Sequence, residues 1–167
     1  KVSSTGRLGY EYYNRLGYVP CDVGIRENAA RTLEYAYDDW CIYQLGKALG
    51  KPEKEIEVYA KRSQNYRNLF NKKYNLMVGK MENGVFSEPF SPVKWGGDFT
   101  DGNSLHYTWS VFHDPQGLIE LMGGKNTCNQ MLDTVFSFAP ICDDSDYCSP
   151  THETRAMQII NTGNNAH

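Results

Sequence analysis

Residues 26–49 read RENAARTLEYAYDDWCIYQLGKAL, and GKP follows at 50–52. Ala29, Leu33, Ala36, Tyr37, Trp40, Leu45 and Ala48 recur at spacings of three and four. That is one broad stripe of a 3.6-residue period, not the alternation of a strand, so the spacing predicts a helix over 26–49. Gly50 with Pro52 just beyond supplies the stop, because glycine takes the left-handed position after a helix and proline cannot continue it. Pro52 then opens a second periodic stretch reaching Asn71. Ile56, Tyr59, Ala60, Ser63, Tyr66 and Phe70 face inward there, while Lys61, Arg62 and Arg67 lie outside. Two helices joined by so short a link fold back on each other as a helical hairpin.

Working outward, the period fails from Lys72 to Gly102. Gly79, Gly84, Pro89, Pro92, Gly96, Gly97 and Gly102 interrupt it, and no helix fits between them. A loop of about 30 residues is long for a compact domain and points to function or disorder. Phe86, Phe90, Trp95 and Phe99 argue for order. Helical signals return over Asn103–Phe112, over Pro115–Met122 with Gly123-Gly124 as the stop, and over Thr127–Phe138. In the last of these Cys128, Met131, Leu132, Val135 and Phe136 share a side. Asp143, Asp144 and Asp146 make an acidic turn, and Pro150 opens a short final helix through Met157. The expected class is all-α, helical hairpins with one long loop, over a single segment 1–167.

Composition narrows the function classes. The chain has 167 residues with 17 basic and 20 acidic side chains, a net charge of −3. No net-basic footprint exists for nucleic acid, and no apolar run approaches the roughly 20 residues of a membrane span. Twelve Tyr, seven Phe and three Trp supply ample surface to bury, which excludes a disordered chain. Five cysteines, Cys21, Cys41, Cys128, Cys142 and Cys148, cannot all pair internally, and none forms a C-x-x-C. A small Cys142–Cys148 disulfide across the acidic loop stays open; reduced cysteines buried as small apolar residues are the favoured reading.

The segment Lys94-Trp-Gly-Gly-Asp-Phe-Thr-Asp-Gly-Asn103 holds the most chemistry. Glycines let backbone approach a ligand closely, Trp95 offers an aromatic face, and Asp98 and Asp101 offer carboxylates for hydroxyls or proton transfer. The plainer reading is a helix start with Asp101 as N-cap and Trp95 in the core. Asp98 is the rival acid in the same loop, and its plainer role is hydrogen bonding to loop amides. Asp38 and Asp39 are adjacent on a helix and face different ways; one pointing into a barrel mouth is the alternative, and structural hydrogen bonding is the expected role of both. His113-Asp114 is expected to cap the Pro115 helix. His106 and His113 are two helical turns apart, too far for an i, i+4 zinc pair. The run Asp143-Asp-Ser-Asp146 lacks the glycine and terminal glutamate of an EF-hand and reads as a solvated turn.

Several stretches together resemble the catalytic domain of the family 92 glycoside hydrolases, calcium-dependent exo-acting α-mannosidases. Arg31-Thr-Leu-Glu-Tyr-Ala-Tyr-Asp-Asp-Trp40 is similar to the family's long inner helix, and Arg62-Ser-Gln-Asn-Tyr-Arg-Asn-Leu-Phe70 to its next helix. Pro89-Phe90, Trp95-Gly-Gly-Asp-Phe-Thr100, Gly102-Asn103, Tyr107-Thr-Trp109 and His113-Asp-Pro-Gln-Gly-Leu-Ile-Glu-Leu-Met-Gly-Gly124 resemble the run that holds the general acid. His152-Glu153 and Met157-Gln158 look like the segment that follows.

The resemblance implies part of an (α/α)6 toroid, whose twelve helices are about twice the number of periodic segments here. It implies an inverting mechanism, with an acid on one face of the glycosidic bond and a base-activated water on the other. Position 101 matches the acid. The family normally has Glu within Glu-Gly-Asn-Ala-Trp-Gln-Tyr; here it is Asp101 within Asp-Gly-Asn-Ser-Leu-His-Tyr, a stem shorter by about 1.5 Å. Leu105 stands where the family has Trp, and His106 where it has Gln. Trp95 and Asp98 are implied substrate contacts, and His152 with Glu153 matches the pair that reads the leaving sugar in α-1,2-specific members. Calcium is the implied cofactor, with its ligands and the catalytic base largely outside this chain. The implied partners are a mannose-containing glycan and the rest of a longer polypeptide, a β-rich domain and the remaining barrel helices, in a periplasmic or secreted protein. Alone, the chain is expected not to turn over substrate, and a non-catalytic carbohydrate-binding or scaffolding helical domain is the alternative.

Overall fold

A computed structural model describes residues 6–137. Phe138, the cysteines at 142 and 148, the acidic turn, the expected final helix and the pair His152-Glu153 lie outside the described residues.

Helix α1, Tyr10–Leu16, precedes the predicted hairpin and was not expected from the sequence. Helix α2 runs Asn28–Ala48, close to the predicted span, and Gly50 takes the left-handed conformation (φ 65°) just past its end. Within α2 the predicted stripe holds at Ala29, Leu33 and Ala36, which are buried. It fails at Leu45, 60% exposed, and at Ala48. Tyr37 and Trp40 are half-buried. The face turns because helix α3, Glu53–Arg62, is laid against Gly46. A Cβ at Gly46 would sit 2.5 Å from Ile56 Cγ2, so the missing side chain there lets the two helices close up.

α3 stops well short of Asn71. Its Ser63 hydroxyl donates back to the Ala60 carbonyl (2.7 Å), and a 3-10 turn follows over Asn65–Leu69. Ser and Asn side chains compete for backbone groups and weaken a helix interior, which the periodic reading of 63–70 did not weigh. The chain then extends as β1, Phe70–Asn71, paired antiparallel with β2, Leu76–Met77, in the register Phe70 opposite Met77. An isolated bridge joins Lys80 to Phe86. The long segment is therefore free of helix, as predicted, and folded through short strand pairings.

Helix α4 is a single turn, Ser104–Tyr107, shorter than predicted. Its N-cap is Asn103, not Asp101: the Asn103 side chain accepts from the Leu105 and His106 N–H groups, and the His106 ring accepts from the Asn103 N–H. Thr108 ties this turn to β2, accepting from the Met77 N–H (2.9 Å) and donating to the Ser104 carbonyl (2.7 Å). Helix α5, Pro115–Leu121, is capped by Asp114, which accepts from the Gly117 N–H (2.9 Å), as expected. His113 instead bonds the Ser63 carbonyl through Nε2 (2.7 Å). Helix α6, Lys125–Ser137, buries Cys128 and Val135 and leaves Phe136 64% exposed.

The main core gathers Ala29, Leu33, Tyr66, Met77, Phe99 and Tyr107, so α2, the strand pair and the glycine-rich loop share one interior. Cys128 is buried, Cys21 half-buried and Cys41 exposed, and these three are free; Cys41 departs from the buried expectation. Among the described residues no helix is long and apolar enough to cross a membrane.

Candidate active site

Helix α2 begins without a side-chain cap, behind Glu27 in a left-handed conformation (φ 58°). Its first donors still need acceptors. The loop supplies them from its backbone. The Ala29 and Ala30 N–H groups donate to the Asp98 carbonyl (3.0 and 3.1 Å), and the Glu27 N–H donates to the Gly97 carbonyl (2.8 Å). Gly96 and Gly97 both take positive φ (74° and 71°), which turns these carbonyls toward the helix.

Side chains reinforce the dock. Asn28, 2% exposed, donates through Nδ2 to Asp98 Oδ1 (2.9 Å), while its own Oδ1 is buried without a hydrogen-bond partner. The other carboxylate oxygen of Asp98 rests over Gly79, where any Cβ would overlap it. Phe99 packs on Tyr107 with ring centroids 5.3 Å apart. Trp95, 6% exposed, meets His106 edge-on at 5.7 Å. The Gly96 N–H donates to the Gly102 carbonyl (2.8 Å), closing the segment into a crest.

Asp101 stands on that crest. It is exposed, and its backbone is left-handed (φ 44°), a conformation Asp tolerates better than most residues. The Tyr107 hydroxyl below donates to the Thr100 carbonyl (2.7 Å). Burial first, then the nearby Glu34 and Asp101 carboxylates, push this phenol up to about 12 against the opposing bonds to Thr100.

Hollows flank the loop. One of about 250 Å³ lies on the Cys21, Asn28 and Asp98 side. Another of about 370 Å³ lies between the first turns of α2 and the Thr100–Tyr107 segment. Of the residues singled out in the sequence, Trp95, Asp98 and Asp101 come together on this loop, with Trp95 beneath it, Asp98 at its root and Asp101 at its tip. Asp39, 0% exposed, accepts from the Tyr13 hydroxyl (3.0 Å) and from Arg7, a structural role, while Asp38 is exposed. Asn28 and Gly79 were missed. Their partner Asp98 lies 70 and 19 positions along the chain (28 to 98, 79 to 98), and no local pattern connects such positions. Among the described residues no group of three His, Cys, Asp or Glu side chains is placed to hold a metal.

The sequence profile of the glycosyl hydrolase family 92 catalytic domain matches residues 1–167. The chain belongs to glycosyl hydrolase family 92. A family 92 inverting mannosidase from Bacteroides thetaiotaomicron superposes with a TM-score of 0.75 at 41% identity, over 97% of this chain and 22% of that one. A family 92 α-mannosidase from the same organism, solved in complex with mannoimidazole, gives 0.73 at 37% identity, over 80% of this chain and 18% of the other. An uncharacterised secreted glycosidase of Arthroderma benhamiae is 29% identical over 162 residues, covering 78% of this chain and 20% of that protein. The family 92 chain thus spans about a fifth of the length of the proteins it matches. Its mostly helical fold agrees with the (α/α)6 toroid of family 92 enzymes.

Proposed function

We propose that this chain carries the general-acid side of an inverting α-mannosidase, with Asp101 as the acid. The supporting observation is the crest itself: an exposed carboxyl on a segment anchored to the first turn of α2 by three backbone hydrogen bonds and the Asn28–Asp98 bond. In the reaction the Asp101 carboxyl gives its proton to the glycosidic oxygen as the C–O bond breaks. A water activated by a carboxylate beyond this chain attacks the opposite face, releasing mannose with inverted configuration. Proton transfer demands heavy-atom placement within about 2.6–3.2 Å, and a crest held at both ends meets that demand better than a free loop.

Trp95 supports the crest from beneath and Asp98 from its root, so both serve the reaction by positioning Asp101. An α-1,2 linkage is the proposed specificity, carried by His152 and Glu153. Calcium is the proposed cofactor; when bound it contacts substrate hydroxyls and helps distort the ring. The described residues bring no carboxylate cluster together for it, and no step here passes through it. A secreted or periplasmic location suits such a glycan degrader and agrees with the secreted Arthroderma relative.

The test uses the full-length polypeptide that carries this chain. Hydrolysis of α-mannobiose is expected in the native protein, and its loss by roughly 10³-fold or more in Asp101→Asn. On 2,4-dinitrophenyl α-mannoside, whose leaving group needs no proton, the variant retains most activity. Unchanged mannobiose hydrolysis removes Asp101 as the acid, and absent hydrolysis in the native protein favours the binding-module alternative.

A further inference from the structure

We propose that the patch on the middle of α2 formed by Tyr37, Trp40, Cys41 and Phe112 seats a helix of the same polypeptide that lies beyond residues 1–167. The inference goes beyond the reaction and holds whichever residue is the acid.

The patch is built from side chains that fix one another. Tyr37 and Trp40, about one turn apart on α2, stack with ring centroids 5.9 Å apart and planes 18° from parallel. Phe112, just before α5, sets its ring across Tyr37 at 6.3 Å and 85°. His113 contacts the Tyr37, Trp40 and Tyr66 rings at 6.0, 6.3 and 5.5 Å. Its Nε2 bonds the Ser63 carbonyl (2.7 Å), so the patch is fastened to the buried Tyr66 and to the end of α3. The Cys41 thiol lies beside Tyr37, and its charge and a hydrogen bond hold that phenol above its ordinary value.

Yet the patch faces outward. Phe112 is 72% exposed and Cys41 is exposed. One exposed phenylalanine is ordinary; one held beside two other rings and a thiol on a helix face marks a contact surface. Tyr37 already engages three rings, so the patch offers edges more than open faces. That suits the side chains of a packed helix better than a sugar ring.

Helix geometry names the occupant. Tyr37 and Cys41 are four residues apart and form one ridge, and helices pack by setting such ridges into each other's grooves. In a ring of helical hairpins a long helix has helical neighbours on both flanks. α3 takes one flank of α2, where Ile56 closes on Gly46. Gly46 is nine residues past Tyr37, about 180° around the helix, so the patch lies on the opposite flank. The chain spans about a fifth of the family proteins it matches, and the remainder supplies the second neighbour.

The experiment uses the full-length protein. Cys41 in the native monomer is expected to react with iodoacetamide at least about 100-fold more slowly than after unfolding, read by peptide mass spectrometry. Irradiated Phe112→p-benzoylphenylalanine is expected to cross-link within one polypeptide to a peptide outside residues 1–167. Faster labelling of Cys41 overturns the proposal. Protection lost on dilution, with cross-links of dimer mass, overturns it by giving the patch to a second copy. Protection that appears only with added α-mannobiose overturns it in favour of a glycan, and a cross-link confined to residues 1–167 shows that this chain covers itself. If the cross-linking variant does not fold, labelling of the native protein decides. Neither readout depends on hydrolysis, so the outcome is separate from that of Asp101→Asn.

Discussion

The two halves of α2 carry the same kind of sequence and meet different surroundings. In the first half, Ala29, Ala30, Thr32, Leu33, Ala36 and Asp39 are buried, and the helix start receives the Asp98 carbonyl. In the second half Ile42 and Leu45 are 39 and 60% exposed, and past Asp39 only Gly46 is buried, under Ile56. Helical period says that a face is apolar. What covers the face depends on segments far away in sequence, here the loop for one half and α3 for the other.

The largest effect that sharpens this contrast is Leu33→Ala, which opens a cavity in the shared interior. A destabilisation of about 2–5 kcal/mol is expected by chemical denaturation of the full-length protein. A value under about 1 kcal/mol would dissolve the distinction between the halves.

Next come the contacts that dock the loop. Gly79→Ala pushes a methyl group against the Asp98 carboxylate, with an expected cost of about 1–3 kcal/mol and reduced kcat on α-mannobiose. Asn28→Ala removes the donor to Asp98 and leaves a half-buried carboxylate short of a partner, again about 1–3 kcal/mol. Equal stability with native kcat in both variants would show that the 96–102 crest holds itself in place.

A smaller, pH-dependent effect concerns Asp114, the cap of α5 that binds Tyr66 and Arg67. Burial alone would raise its pKa, but hydrogen bonds from Tyr66, the Gly117 N–H, Gln64 and Arg67 outweigh it and hold the carboxyl below its ordinary 3.8. A pKa lowered on folding contributes stability above the unfolded value, and the contribution is lost as pH falls through the folded one. The gap in denaturant midpoint between native and Asp114→Asn is therefore expected to be full at pH 6 and to shrink below about pH 4. A gap independent of pH would contradict this. The smallest effect is Leu45→Ser on the open half, within about 0.5 kcal/mol in thermal melting if the face stays uncovered in the full-length protein. A large loss would mean that another segment covers it there.

Much of this was legible from local pattern. The α2 span, the Gly50 stop, the Asp114 cap and the absence of helix over 72–102 follow from rules acting within a few residues. The Trp95–Asp101 run stood out as a candidate site because glycines, an aromatic and carboxylates crowd it. Three readings went astray for one reason. The helix carried to Asn71, the cap given to Asp101 and the stripe extended to Leu45 each took local period or composition as sufficient. At each place a hydrogen bond or a packed neighbour decided otherwise: the Ser63 back-bond, the Asn103–His106 box and the Gly46–Ile56 contact.

The sequence by itself determined the α2 span, the Gly50 stop, the Asp114 cap and the lack of helix over 72–102, since propensity, capping and glycine freedom are short-range properties. Only the tertiary structure decided that Asp98 is an anchor and that Trp95 lies beneath the crest. Those facts depend on which backbone carbonyl reaches which helix end across some seventy residues, as in the Asn28–Asp98 bond. Burial and unsatisfied donors fix such pairings once the chain is packed, and they leave no periodic trace along it.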